Sequence, residues 1–181
     1  MPLPSRPLIP WHLAALLLFI GLKLGFQSTA PEQLLFLLKP VVRLLQFLTG
    51  AEAIWKPGTG FFVLEWAIVI DSSCAGISFW ALAFAVLHIC FAQKGMYPKK
   101  SLQALSGALL LGYILTIPAN ALRIYLSLFL REKVLSMYPD CSLAAIHQGT
   151  GIAVQVTLLS LLYLALHRRQ TFSRLWAVSG T

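Results

Sequence analysis

Charge is scarce in this sequence, and acidic charge is scarcest: 11% of the 181 residues are charged, and only six are Asp or Glu. Soluble domains carry about a quarter charged residues. The shortage excludes an ordinary water-soluble globule, and with 58% hydrophobic residues and a mean hydropathy of +0.78 it puts the chain in a bilayer. Cysteine is sparse too. Cys74, Cys90 and Cys141 are too few and too scattered for a disulfide framework, and no Cys-x-x-Cys offers a zinc site or a redox pair. The sequence also lacks a phosphate-cradling glycine loop, an internal repeat, a low-complexity tract and any cofactor fingerprint, so no metal or organic cofactor is implied.

What is abundant is long apolar runs. Residues 8 to 26, 75 to 92, 101 to 122 and 147 to 167 each have the length and composition of a membrane span, which fits a single integral membrane domain over 1–181. The first is read as a retained span, since it holds Lys23 and no clean cleavage site follows. The net charge of +8 does not point to nucleic acid, because the basic residues flank the spans instead of forming a patch. Lys94, Lys99 and Lys100 in one loop, Arg168, Arg169 and Arg174 in the tail, and Arg6 at the N-terminus are expected on the cytoplasmic side. Residues 27 to 74 and 123 to 146 then face outward, and they hold every acidic residue: Glu32, Glu52, Glu65, Asp71, Glu132 and Asp140.

Residues 34 to 48 read as an interfacial helix or an additional span. Lys39, Arg43 and Gln46, at i, i+4 and i+7, gather polarity on one face. From Gly58 to Asp71 the pattern turns β-branched and aromatic between Pro57, Gly58 and Gly60, predicting a short extended segment or hairpin. Trp55 and Trp66 outside, with Trp11 and Trp176 inside, fit aromatic belts. Ser106-Gly107-Ala108 and Gly149-Thr150-Gly151 suggest close helix packing. The expected fold class is therefore an all-α polytopic membrane bundle with a short extended or hairpin segment on the outer side before Cys74.

Depth singles out three residues. Cys74 precedes the span at 75 to 92, Arg123 follows the span at 101 to 122, and His147 opens the span at 147 to 167, so all three belong near the same outer boundary. A cysteine before a membrane helix is ordinarily a small buried apolar residue. In Asp71-Ser72-Ser73-Cys74-Ala75-Gly76, however, capping residues open a helix, whose N–H groups and positive dipole end favour thiolate. Arg123 has an ordinary reading as a snorkelling anchor, but Pro118 and Asn120 lie in the same turn region, with Asn120 and Arg123 sharing a face. His147 has an ordinary reading as a helix-terminal histidine, with Gln148 and the Thr150 hydroxyl as expected partners. Structural roles are assigned to His12, His88 and His167.

The order Asp71-Ser72-Ser73-Cys74-Ala75-Gly76-Ile77, Ile117-Pro118-Ala119-Asn120-Ala121-Leu122-Arg123-Ile124 and His147-Gln148-Gly149-Thr150-Gly151 resembles the exosortase/archaeosortase family of membrane transpeptidases, over roughly residues 58 to 167. The chain is shorter than many members, and Ala75 stands where serine is common. The resemblance implies a catalytic Cys74, Arg123 and His147, with Asn120, Asp71 and Ser73 in support, facing the extracytoplasmic side of a bacterial cell membrane.

It also implies a cysteine peptidase and transpeptidase for protein sorting, with no cofactor and membrane lipid as its surroundings. Its substrates would be exported proteins that end in a recognition motif, a transmembrane helix and a basic tail; cleavage would pass the exported part to an acceptor. Two other classes are open to the same residues. A thiol-redox membrane protein would use Cys74 with Cys141, and a non-enzymatic transporter or assembly scaffold would use Arg123 as a counter-charge.

Overall fold

The computed structural model describes residues 9–26, 29–93, 101–138 and 142–178, with the side chains of 132, 143, 144 and 168–178 excepted. The topology expectations carried by Arg6, Lys94, Lys99, Lys100, Arg168, Arg169 and Arg174 lie outside what is described, as do those on Glu132, Asp140, Cys141 and Trp176.

Five helices and one small sheet make up the described chain. Helix α1 covers Ile9–Gly25, α2 Leu35–Thr49, α3 Ile77–Gln93, α4 Ser101–Met137 and α5 Leu143–Val178. Strands β1 (Ala53–Lys56), β2 (Gly60–Val63) and β3 (Ile68–Ile70) form an antiparallel sheet in that order. The chain is thus mostly helical, but the expected hairpin is a three-stranded sheet. Pairing of Ala53 with Val63 and of Trp55 with Phe61 recruits β1, a strand not foreseen from the sequence.

Among the described residues, three helical segments are long and apolar enough to cross a membrane: Ser72–Gln93, Ser101–Met137 and Ala145–His167. Helix α1 is apolar but has 17 residues, or ~26 Å at 1.5 Å per residue, just under a ~30 Å hydrocarbon core. Two expected boundaries are corrected. Helix α4 does not stop at 122 but continues to Met137, reaching ~55 Å, and α5 extends to Val178. Neither Arg123 nor Pro118 interrupts α4, because the residues on both sides keep helical patterning. Large apolar side chains face outward along these helices, among them Leu17 (62% exposed), Leu110 (61%) and Ile152 (64%).

Helix α2 shows how the outer core is built. Leu34, Leu37, Leu38, Val41, Val42 and Leu45 are at most 2% exposed and recur at the i, i+3, i+4 spacing of one helical face. That face packs on α4, while Lys39 and Arg43 are exposed. At 15 residues, α2 is ~22 Å long. Its interior Pro40 has no N–H for the Phe36 carbonyl one turn earlier, and the Tyr113 hydroxyl of α4 donates to that carbonyl at 2.7 Å. The proline gap thereby becomes a bond between helices. Gly50, at φ 75°, ends α2 in the left-handed conformation, with its N–H on the Gln46 carbonyl.

Close packing of α3 on α4 depends on Gly112, where a Cβ would come within 3.2 Å of the Phe84 nitrogen and the Trp80 ring. Of the glycines expected to allow close packing, Gly107 and Gly149 have open space beside them, while a Cβ on Gly151 would come 3.2 Å from the Arg123 Nε of the neighbouring helix.

Candidate functional site

Asp71 leaves β3 in an extended conformation and caps a single 3-10 turn, Ser72–Cys74. One carboxylate oxygen accepts from the Ser73 N–H at 2.9 Å and from the Ser73 hydroxyl at 2.6 Å. The Cys74 N–H donates to the Asp71 carbonyl, and α3 starts only at Ile77. This revises the sequence expectation for the thiol. Cys74 ends a short 3-10 turn and does not sit on the first turn of the long helix, which begins at Ile77.

Gly76 fixes where the turn goes. Its φ of 75° suits glycine, and a Cβ there would lie 3.0 Å from both the Asn120 Cγ and the Thr116 Cγ2. The absent side chain lets the turn press on α4, and the Asn120 side-chain amide then donates to the Cys74 carbonyl. Asn120 is 3% exposed. It therefore answers a backbone acceptor that an α3 starting at Ile77 cannot reach. Cys74 itself is 7% exposed, packed in the cluster that contains Ile70, Ala75 and Ile124, with its sulfur 3.8 Å from the Ser73 hydroxyl oxygen.

One turn beyond Asn120, Arg123 meets α5. Its Nη2 lies 2.7 Å from the His147 Nε2, and the His147 Nδ1 is 3.4 Å from the Ser127 hydroxyl oxygen. A guanidinium only donates, so Nε2 holds the lone pair in this arrangement and Nδ1 carries the proton toward Ser127. The expected partners of His147, Gln148 and Thr150, are replaced by Arg123 and Ser127. The reason is geometric: α4 crosses α5 at this level, and the Arg123 and Ser127 side chains, four residues apart, both lie on the crossing face. Gly151, one turn after His147, makes room for the arginine. A Cβ there would be 3.2 Å from the Arg123 Nε, a nitrogen that is buried with no hydrogen-bond partner.

Two cavities open on either side of the Ser73–Cys74 turn. One, of about 400 Å³, is lined by Cys74, His147, Asp71, Ser127 and Arg131 together with β3. The other, of about 570 Å³, is lined by Arg123, Ser72, Ser73, Lys23 and Gln155, with Lys23 donating to the Ser78 hydroxyl at 3.1 Å. The structure thus joins Arg123 to His147 directly, places Cys74 and His147 among the residues lining one cavity and Arg123 among those lining the other, and attaches Asn120, Asp71 and Ser73 to the cysteine turn. Ser127, Arg131 and Lys23 were not foreseen at the site, whereas Gly151, expected to allow close helix packing, does so against Arg123. Ser127 at Arg123 plus four and Gly151 at His147 plus four carry the only available signal, a shared helical face.

The remaining histidines lie elsewhere. The His12 Nδ1 is 2.9 Å from the His88 Nε2 across α1 and α3, and His167 stacks on Tyr163. Among the described residues no three His, Cys, Asp or Glu side chains gather as a metal site would require. Compared with known proteins, the chain matches no family model, no curated protein and no solved structure.

Proposed function

We propose that this chain is a polytopic membrane protein of the inner bacterial membrane and a sortase-like cysteine transpeptidase of exosortase type, its site facing the extracytoplasmic side. The observation that carries the reading is the Arg123–His147 contact at 2.7 Å beside a cavity whose wall includes Cys74. A buried anchor supports it, since the Asn120 amide holds the carbonyl of the cysteine and not merely its neighbourhood. The apolar outer faces of α4 and α5 support the membrane assignment.

The chemistry follows from the donor set. The Cys74 sulfur attacks a backbone carbonyl of an exported substrate, and its proton passes to the His147 Nε2. At rest that nitrogen accepts from Arg123. As negative charge grows on the substrate carbonyl oxygen, Arg123 Nη2 turns to it, which releases Nε2 for the thiol proton. Substrate arrival and arming of the base are then one event. The C–N bond breaks, His147 returns the proton to the departing amine, and a thioester remains on Cys74. An acceptor amine, hydroxyl or water then attacks the thioester, giving its proton to His147, and the regenerated thiolate takes that proton back.

Trapping tests this. The protein is co-expressed with a tagged candidate substrate bearing a C-terminal sorting signal, and mass spectrometry looks for an adduct on Cys74 that hydroxylamine releases. The adduct is expected in the wild-type chain and absent in Cys74→Ala. Turnover of that substrate in Cys74→Ala at the wild-type rate overturns the proposal.

A further inference from the structure

The cavity of about 570 Å³ on the far side of the Ser73–Cys74 turn shares only Arg123 and Ser73 with the chemistry proposed above. Among the described residues that line it none is acidic, while two are cations: Lys23 in the last turn of α1, and Arg123 on α4. Asp71, next to Ser72 in the chain, lines the opposite cavity. Its carboxylate keeps its charge when it accepts from the neutral Ser73 donors, and it offsets one of the two cations at most. One positive charge is left over on this side of the turn.

The polar groups here are largely unspent. Lys23 gives one of its three N–H donors to Ser78, and Arg123 gives one of its five to His147, with its Nε unpartnered. Gln155 lies one turn beyond Gly151 on the same face of α5, ~6 Å further along the axis. It stands in the middle of the apolar segment Ala145–His167, and among the described residues its amide has no hydrogen-bond partner. A polar side chain unanswered at that depth is costly, and such residues mark ligand paths through a membrane domain. The donors come from four separate segments: the Lys23 ammonium, the Ser72 and Ser78 hydroxyls at the turn and α3, the Arg123 guanidinium and the Gln155 amide. Donors on several sides suit the oxygens of a phosphate better than the flat edge of a carboxylate. Apolar surface continues from both walls, since Leu24 follows Lys23, Val156 follows Gln155, and both are exposed.

We infer that this cavity binds a phospholipid, its phosphodiester held between Lys23 and Arg123 and its acyl chains laid along the exposed apolar faces of α1 and α5. The single negative charge of a phosphodiester matches the one positive charge left over. Arg123 keeps Nη2 for His147 and offers its other N–H groups to the lipid. The inference uses the membrane assignment and goes beyond the transpeptidase reading, because binding needs no chemistry at Cys74.

Full-length protein in nonionic micelles is titrated with dihexanoylphosphatidylglycerol, with dihexanoylglycerol, which has the same tails and no phosphate, and with inorganic phosphate; native mass spectrometry reads the bound fraction. The phospholipid is expected to bind about tenfold or more tightly than either of the others, the worth of hydrogen bonds to a charged group. Lys23→Glu should remove that preference and Lys23→Arg should keep it. Gln155→Leu, which places an apolar residue in an apolar span and so preserves the fold, should weaken the phospholipid and leave dihexanoylglycerol unchanged. Equal binding of the two dihexanoyl compounds overturns the inference, as does wild-type affinity for the phospholipid in Lys23→Glu or in Gln155→Leu. Inorganic phosphate binding as tightly as the phospholipid overturns the lipid as occupant. A chain that discriminates in this way but forms no adduct on Cys74 keeps the lipid site and loses the transpeptidase reading; an adduct without discrimination does the reverse.

Discussion

Gly149 and Gly151 lie two residues apart on α5, and replacing each by alanine separates propensity from site geometry. Alanine in a helix interior is favoured over glycine by about 1 kcal/mol. At Gly149 nothing lies within 4 Å of the new Cβ, so Gly149→Ala should gain most of that amount. At Gly151 the Cβ would sit 3.2 Å from the Arg123 Nε and 3.5 Å from its Cδ, and the arginine must retreat by a few tenths of an ångström. Its Nη2 contact with His147, now 2.7 Å, is stretched by a shift in the middle of the side chain. A hydrogen bond involving a charged group contributes about 1.5–3 kcal/mol, so the two variants should differ by roughly that much, with Gly151→Ala the less stable. Reversible unfolding in mixed micelles measures the difference, and the rate of adduct formation at Cys74 measures the site. Gly149→Ala should form adduct at the wild-type rate, and Gly151→Ala at least tenfold more slowly. Equal stability and equal adduct rates would show that Arg123 is not confined by α5, and the reasoning about its position would be refuted.

Asn120→Ala leaves the buried Cys74 carbonyl without its donor and should cost about 1–3 kcal/mol by the same unfolding measurement; wild-type stability there removes Asn120 as the anchor of the turn. Arg123→Lys keeps the charge but loses the planar fork and should slow adduct formation by about 10²–10³, the effect of removing one oxyanion donor; an unchanged rate assigns Arg123 a purely structural task. The Glu65 carboxyl, outside the candidate spans, is held below its ordinary value of 4.5 first by the Glu52 N–H. A depressed carboxylate stabilises the fold above its unfolded value, so protection of the Glu52 amide from exchange should be full above about pH 5 and lost on further acidification. Glu65→Gln should remove that pH dependence, and persistence of the same profile in the variant contradicts the assignment.

The legible part of the fold was the part governed by local pattern. Apolar runs gave α1, α3 and the cores of α4 and α5, and the 34–48 periodicity gave the buried stripe of α2. The ends of α4 and α5 were not legible, because Arg123, Arg131 and Lys133 interrupt hydropathy without interrupting a helix: long basic side chains lose little rotamer freedom there. Strand β1 was missed for a different reason. Ala53-Ile54-Trp55-Lys56 is too short to show a period, and it becomes a strand by pairing with β2, a contact that lies in the fold and not in the segment. Pro40 lies inside α2, which continues through it, and the carbonyl it orphans is answered by Tyr113, 73 positions later, a partner no local pattern shows.

The site divides along the same line. Depth along three apolar runs nominated Cys74, Arg123 and His147, although α4 runs past the end counted from, to Met137, and α5 starts earlier, at Leu143. What counting does not supply is azimuth, and azimuth decided the partners. Arg123 and Ser127 reach His147 because they share one face of α4, and Gly151 and His147 share one face of α5; the two faces meet only when the helices cross. From that crossing comes the property that most constrains the chemistry: the lone pair His147 would use on the thiol is occupied by Arg123 in the resting arrangement. A site in which the base is released only by the oxyanion has a built-in guard against idle hydrolysis, and it makes a kinetic demand. Small alkylating reagents, which develop no oxyanion for Arg123, should modify Cys74 slowly in the wild-type chain and faster in Arg123→Ala, where Nε2 is free. An acyl substrate should show the opposite order. If both reagents slow together in Arg123→Ala, the arginine activates the sulfur directly and the coupling between substrate and base does not exist.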